Sequence, residues 1–513
     1  MFRNASRWLA AAACTLLTAA VLPAATASGA TVRTAAARQL PPTPDRYVHQ
    51  RLDWRPCATG PLECATMSVP RDWYHPDAGP GLSIAVSRLR AADPAKRRGV
   101  LMMAAGGPGA SGLARPARLA SYSPKLAAAY DIVGFDQRGV GASTRVVCSD
   151  QAEVDVLFGG GDLRDRSQHA VRQTFERARD FVRDCRTHSG GLLPYITTDQ
   201  AVHDMDLYRR LLGAEKISYY GPSYATLLGA YYADAFPHAV ERVVLDSNID
   251  VTGTWQSFLT GQPMSFQRRF EQDFLPWLAE NDATYHQGRT PAETAAAFER
   301  LRTALREHPV DLEGTVITPN HLDKATTDAV YDTDRFADLA SLLGLLQHPD
   351  QAPEQTRKSV AAQLRHLMDA GFAADYFAVT CGDTAWNRDG RYWVERSAEA
   401  TRTHPLAGAR ELTFAAVCAN WPVTGAPRFK VSGRGLPPVL MLNSKTDPAT
   451  YHEAAVRTHR ALAGSRLITV EGGDHGQFQN HNACVDALVE TYLLDGALPD
   501  RDGSCPAAAP SAG

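Results

Sequence analysis

A serine, a carboxylate and an imidazole in that chain order can turn a weak alcohol into a nucleophile, and the sequence offers Ser223, Asp447 and His475. Ser223 lies in Ile217-Ser-Tyr-Tyr-Gly-Pro-Ser-Tyr-Ala-Thr226, a β-type run that continues into an Ala/Leu/Tyr-rich helical stretch. This predicts a nucleophile elbow, a strained strand-to-helix turn that lifts one hydroxyl out of the backbone. The turn brings strand and helix close together, so its usual pattern is Gly-x-Ser-x-Gly. Ala225 departs from it by one methyl. Taken alone, the motif describes a helix-capping serine equally well.

Asp447 and His475 each have a mount. Pro438-Val-Leu-Met-Leu-Asn443 reads as a late strand, and Asp447 follows it in Ser444-Lys-Thr-Asp-Pro448. Thr450 and Glu453 have capping-box spacing and are expected to start the next helix. One helix and one strand later, His475 stands in Glu471-Gly-Gly-Asp-His-Gly476. Such an imidazole would take the serine proton while the acid holds its tautomer. Asp474 is an alternative acid by adjacency only. The oxyanion of an acyl transfer needs donors, expected from the N–H of Tyr224 and from Gly107, with Gly106 beside it in Ala105-Gly-Gly-Pro-Gly109. That loop lacks the Gly-Lys-Ser/Thr of a phosphate loop and the spacing of a dinucleotide fingerprint. An Asp136/Arg138 pair is expected to buttress the site.

These loops need strands to carry them. β-like runs at 82–90, 99–104, 131–135, 216–220, 241–246, 438–443 and 466–470 alternate with helical patterns at 168–186, 199–213, 224–236, 451–463 and 482–494. That alternation predicts an α/β fold with a mostly parallel sheet. From 251 to 430 the pattern turns helical, as in 265–280, 292–307 and 354–370. The chain therefore divides into a core at 47–250, an inserted helical lid at 251–430 and a second core part at 431–513.

Arg3 and Arg7, an apolar run from Trp8 to Leu22, and small residues to Ala30 read as a signal peptide over 1–30, cleaved after Ala27 or Ala30. Residues 31–46 read as a leader or pro-segment. The run is short for a bilayer span, so a secreted protein without a membrane anchor is expected. With 53 Lys+Arg against 56 Asp+Glu there is no basic stripe for nucleic acid. Beyond Cys14 in the signal, eight cysteines remain, an even number that implies disulfides in an exported chain. Proximity in sequence suggests Cys57 with Cys64, Cys148 with Cys185, Cys381 with Cys418, and Cys484 with Cys505. No spacing supports a zinc site.

The motifs Gly106-Gly-Pro-Gly109, Asp136-x-Arg-Gly-x-Gly-x-Ser143, Gly221-Pro-Ser-Tyr-Ala-Thr226, Asp447-Pro448 and Gly473-Asp-His-Gly476 together resemble the exported tripeptidyl aminopeptidase group of actinomycete α/β-hydrolases, related to the proline iminopeptidases. The resemblance runs from about residue 50 to 505. It implies an α/β-hydrolase fold with a mostly parallel central sheet and a helical lid insertion. It also implies a serine exopeptidase that needs no cofactor and releases short peptides, often tripeptides, from a free N-terminus. In that group acidic lid side chains bind the substrate amine, which makes Glu271, Asp273 and Asp383 candidates. Ala225 and Ala104-Ala105 depart from the group's usual residues. A secreted esterase with the same triad and a catalytically silent binding protein are the competing readings. Oligomeric state has no signature in the sequence.

Overall fold

Aliphatic runs such as Val100-Leu-Met-Met103 and Val439-Leu-Met-Leu442 are buried on both faces, as strands of a helix-covered parallel sheet must be. The computed structural model describes residues 41–58, 60–423, 425 and 429–508. The expected signal peptide and residues 31–40 of the expected leader lie outside the described residues. Asp45–Val48 forms a short helix that buries Tyr47.

In chain order the strands are β1 (Arg55–Pro56), β2 (Glu63–Val69), β3 (Leu82–Leu89), β4 (Gly99–Met103), β5 (Tyr130–Phe135), β6 (Ile217–Pro222), β7 (Val240–Asp246), β8 (Val310–Leu312), β9 (Thr315–Ile317), β10 (Val439–Ser444), β11 (Arg466–Glu471) and β12 (Gly503–Pro506). All but β8 and β9 form one sheet in the order β1-β2-β3-β5-β4-β6-β7-β10-β11-β12. The first four of that order pair antiparallel and every later pairing is parallel. The fold is α/β, with the helices Thr198–Leu211, Tyr224–Ala235, His452–Ala461 and Ala483–Asp495 among those connecting the strands.

Pro222 is in register with Asp246 across β6 and β7, and Ser444 with Val470 across β10 and β11. Loops leaving these strand ends therefore emerge side by side at one edge, where open α/β sheets build sites. Between β7 and β10 the chain is mostly helical. Phe266, Phe270, Phe274 and Leu278 recur every fourth residue and pack with Phe298, Leu301, Phe336 and Leu343 into a core of their own. The β8–β9 hairpin inside this insertion is not among the expected elements, and the stretch 354–370, expected to be helical throughout, is broken: one helix ends at Leu364 and another begins at Ala370.

The structure joins Cys57–Cys64, Cys148–Cys185, Cys381–Cys418 and Cys484–Cys505. Among the described residues no helix is long and apolar enough to cross a membrane.

Candidate active site

The elbow is built from β6 and the helix Tyr224–Ala235, with Ser223 between them at φ 60° and ψ −131°. A side chain at positive φ is strained by about 1–3 kcal/mol and persists only where its surroundings enforce it. They do: the Ser223 N–H donates to the Asp246 carbonyl at 2.8 Å, and the N–H and hydroxyl of Thr226 donate back to the Ser223 carbonyl at 2.8 and 2.7 Å. The Tyr219 ring fills the space between strand and helix, and its hydroxyl donates to the Ala225 carbonyl at 2.7 Å. A Cβ on Gly229 would sit 2.2 Å from that ring, so small residues are needed under the elbow. The Ala225 methyl is accommodated there, fully buried.

Asp447 leaves β10 and is fully buried. Its Oδ1 accepts the N–H groups of Ala449 and Thr450 at 2.9 and 2.7 Å, and Oδ2 accepts the Thr450 hydroxyl at 2.9 Å. Thr450 thus does not cap a helix. The next helix starts at His452 and has Tyr451 at its cap, while Glu453 pairs with Arg268. Both Asp447 oxygens lie 3.0 Å from His475 Nδ1. With Nδ1–H donating to that carboxylate, Nε2 is left as the basic nitrogen. Burial pulls the imidazolium down, but the charge and hydrogen bond of Asp447, with Asp246 behind, more than offset this and leave His475 above its ordinary value.

The His475 loop is fixed by residues the sequence reading did not single out. The His475 N–H donates to the Tyr331 carbonyl at 2.8 Å, and the two rings meet edge to face at 5.1 Å. The Ser247 hydroxyl accepts from the Gly476 N–H, and Asp246 accepts from Gln477 and Phe478 N–H groups at 2.8–3.0 Å. Asp246 also supplies the carbonyl that holds Ser223, so one residue at the end of β7 braces both loops. Its place directly beyond an apolar strand was the available signal. Asp474, the alternative acid, faces away to Arg269, Thr333 and Asn480.

β4 delivers the Gly106–Gly109 loop against Ser223. A Cβ on Gly106 would lie 2.9 Å from Ser223 Cβ and 3.4 Å from its Oγ, leaving no room for a side chain. Gly107 and Gly109 both have φ 110°, and Phe372 and Asp375 of the helix Ala370–Gly382 press on them. Burial raises the Asp375 carboxyl to about 8. The expected Asp136/Arg138 pair does not form. Asp136 accepts from Ser111 and from the Gly112 and Ala142 N–H groups, whereas Arg138 makes a buried pair with Asp204 at 2.6 Å. Each still braces the site, separately.

Ser223, Gly106, Gly107, Thr450 and His475 line one cavity of about 690 Å³, bordered also by residues of the helical segment between β7 and β10. The three acids expected to bind an amine do not line it. Glu271 is exposed and bonded to Gln267. Asp273 is held by Arg269 and the Thr446 hydroxyl on the far side of the His475 loop. Asp383 is buried, accepting from Thr198 and the Trp255 indole. Packing of the helices between β7 and β10 decides which carboxylates are buried, and sequence spacing does not reveal which face meets the cavity. The acids that do line it are Asp328, Asp332 and Glu411. Asp328 pairs with Lys324. Glu411 lies 2.8 Å from Arg396 Nε without a hydrogen-bonding alignment, and its burial raises it to about 7.

A serine on an elbow at the end of β6, with a carboxylate–imidazole pair from the loops after β10 and β11, defines a serine hydrolase of the α/β-hydrolase fold. Comparison with known proteins narrows the class. A family profile described as "TAP-like protein" matches residues 404–505. The tripeptidyl aminopeptidase of Streptomyces coelicolor is 36% identical over 480 residues, covering 90% of this chain and 87% of that protein. Carboxylesterase B of Mycobacterium tuberculosis is 31% identical over 470 residues and 86% of each chain. The serine protease Hip1 of the same organism is 27% identical over 485 residues, 89% of this chain and 91% of that one. The chain belongs to the tripeptidyl aminopeptidase family of α/β-hydrolases, and it is a serine hydrolase of aminopeptidase type.

Proposed function

We propose that the protein is an exported exopeptidase that releases tripeptides from the free N-termini of peptides through an acyl-enzyme on Ser223. The observation that carries the chemistry is the His475–Asp447 contact at 3.0 Å in the cavity that also holds Ser223. Ser223 attacks the scissile carbonyl and His475 takes its proton. Asp447 keeps the Nδ1 tautomer and stabilises the imidazolium. The developing oxyanion is received by the N–H of Tyr224, which opens its helix without an intrahelical acceptor, and by that of Gly107. His475 then protonates the leaving amine, and water attacks the acyl-enzyme by the reverse path.

A free amine is best met by the lid acids in the cavity, Asp328, Asp332 and Glu411. Their wall supports an exopeptidase, since a cationic N-terminus would otherwise be desolvated without a partner. Export is supported by the N-terminal reading and by four disulfides, which persist in oxidising compartments.

The decisive comparison is a tripeptidyl arylamide with its N-acetylated counterpart, on wild type and Ser223→Ala. We expect turnover of the free-amine compound only, abolished by the substitution. Equal rates on both compounds would favour an esterase-like hydrolase, the reading supported by the relative named Carboxylesterase B. Absence of a fluorophosphonate adduct on Ser223 of folded protein would favour a silent binding protein.

A further inference from the structure

Arg115 and Arg118 stand on the first turn of the helix Arg115–Tyr122, directly after the Gly106–Gly109 loop, and both line the cavity of Ser223. The fully buried arginines are paired: Arg138 with Asp204, Arg269 with Asp273 and Asp474, Arg302 with Asp162 and Asp323, whereas Arg115 is half-buried and Arg118 exposed to the cavity side. Among the described residues no carboxylate pairs with Arg115 or Arg118, and Arg115 Nε is buried without a hydrogen-bond partner. Their turn contains no acid, and cations at a helix N-terminus are disfavoured by the helix dipole. Burial and the nearby Arg118 charge both oppose the charge on Arg115. Two adjacent unpaired guanidinium groups on a cavity wall leave a place for one anion, which a carboxylate can fill with charge-assisted hydrogen bonds.

The position of this wall says which part of a substrate it meets. Tyr122, at the end of the same helix, lies edge-on to Phe478 at 5.8 Å and accepts the His481 N–H at 2.9 Å, so the helix packs on the loop leaving His475. Phe478, Gln479 and Asn480 of that loop line the same cavity as the arginines. The group that protonates the leaving amine stands on the leaving side of the scissile bond. The acids Asp328, Asp332 and Glu411 come instead from the lid. We propose that Arg115 and Arg118 form a subsite for a carboxylate of the leaving fragment, either its C-terminus or an acidic side chain. This rests on the peptidase reading above, and makes short peptides with a nearby free carboxylate the preferred substrates.

The test uses peptides sharing one free N-terminal tripeptide, followed by one or two residues ending in alanine carboxylate, alanine amide or aspartate amide. Affinity for the Ser223→Ala protein is read by calorimetry, and kcat/KM by wild-type turnover. We expect the carboxylate form to exceed the alanine amide by about tenfold at low salt, the worth of one charge-assisted contact, with the margin shrinking as salt rises. The same margin for the aspartate amide would identify a side-chain carboxylate as a further source. Arg115→Gln/Arg118→Gln should bring the ratio to near one, and Arg115→Lys/Arg118→Lys should keep most of it. Arg118→Gln alone, at an exposed position, should lower the ratio even where the double variant folds poorly. A ratio near one in the parent protein at both lengths, or an unchanged ratio in the double Gln variant, overturns the proposal. The binding arm needs no turnover, and the N-acetyl comparison involves no leaving carboxylate, so failure of the subsite and failure of the peptidase reading are separable.

Discussion

The Arg269 guanidinium, buried in the lid, lies 2.5 Å from the carboxylate of Asp474, the residue immediately before His475. Arg269 also holds Asp273, the Val330 carbonyl and the Thr333 hydroxyl, while the Thr333 N–H and hydroxyl both donate to Asp474. Together with the Tyr331 carbonyl, segment 330–333 therefore grips the His475 loop from two sides.

Arg269→Met should accordingly do two things. Leaving Asp474 and Asp273 without their cation destabilises the fold by about 3 kcal/mol, the lower end for a broken buried pair because both acids keep some solvent contact. It should also lower kcat more than it raises KM, since the loosened element is the base. Arg269→Lys can reach one acid but not bridge both, and should recover part of each loss. Chemical denaturation with steady-state kinetics checks this; a KM effect alone would contradict it.

His475, the proposed base, carries its own pH signature. His475 titrates above its ordinary value because Asp447 outweighs the burial that would lower it. The imidazole must be neutral to accept the serine proton, so the acid limb of kcat/KM should lie above about pH 6.5. The sign for stability is the reverse. A raised folded-state value stabilises fully below the unfolded value near 6.5 and loses that contribution as pH rises through the folded value. Asp447→Asn should move the limb to lower pH and cut kcat by about 10⁴-fold through the wrong tautomer. A pH–rate profile of both proteins, with melting curves of His475→Gln as reference, reads each effect.

Asp375 gives an opposite case at the neighbouring loop. Burial raises this carboxyl to about 8, and one of its oxygens is buried without a partner, so it is protonated at neutral pH against Gly109. Its folded state binds a proton that the unfolded chain has released above about pH 4, so stability must fall as pH rises from there to about 8. Asp375→Asn removes the titration while keeping the shape. The variant should gain on the parent steadily over that range, as measured by urea denaturation at stepped pH. Parallel curves would show that the carboxyl ionises freely.

The parts of this site legible in the sequence are those where one local rule decides. Apolar runs announced the strands that carry the loops, and Ser223 between Gly221 and Ala225 and His475 in its glycine-rich loop announced turns. β12, Gly-Ser-Cys-Pro, was invisible because its pairing is set by β11 and the Cys484–Cys505 bridge rather than by its own residues. The lid acids failed for a related reason. Asp273, Asp383, Asp328 and Glu411 look alike in sequence, and only the packing of several helices decides which of them finds buried donors and which meets the cavity. Asp136 and Arg138, adjacent but for one residue, likewise took separate partners because a tight turn points them apart.

Strain at the nucleophile is measurable by substitution. Ser223 holds φ 60°, which glycine adopts without penalty and alanine does not. Both Ser223→Gly and Ser223→Ala should be inactive, but the glycine variant should be more stable than the alanine variant by about 1 kcal/mol, the strain relieved less the entropy glycine loses. Equal stabilities would mean the elbow is unstrained. The comparison isolates the backbone because the hydroxyl is absent from both.

Under the elbow, two neighbouring small residues should respond in contrasting ways. Ala225 is fully buried, yet what binds the helix to β6 at this point is its carbonyl, which accepts the Tyr219 hydroxyl, and glycine keeps that carbonyl. Ala225→Gly should then cost about 1 kcal/mol of helix propensity and change kcat by less than about threefold. Gly229, one turn on, has no such freedom. An added methyl would meet the Tyr219 ring at 2.2 Å, and the ring is pinned by the same hydroxyl, so helix and strand must part. Gly229→Ala should cost about 3 kcal/mol, and because the displaced helix carries the Tyr224 amide, kcat should fall with it. Gly229→Ala with Tyr219→Phe should restore little, since the clash is with ring carbons and not with the hydroxyl. Thermal denaturation and single-turnover acylation of the three variants distinguish a propensity effect from a packing effect at the nucleophile.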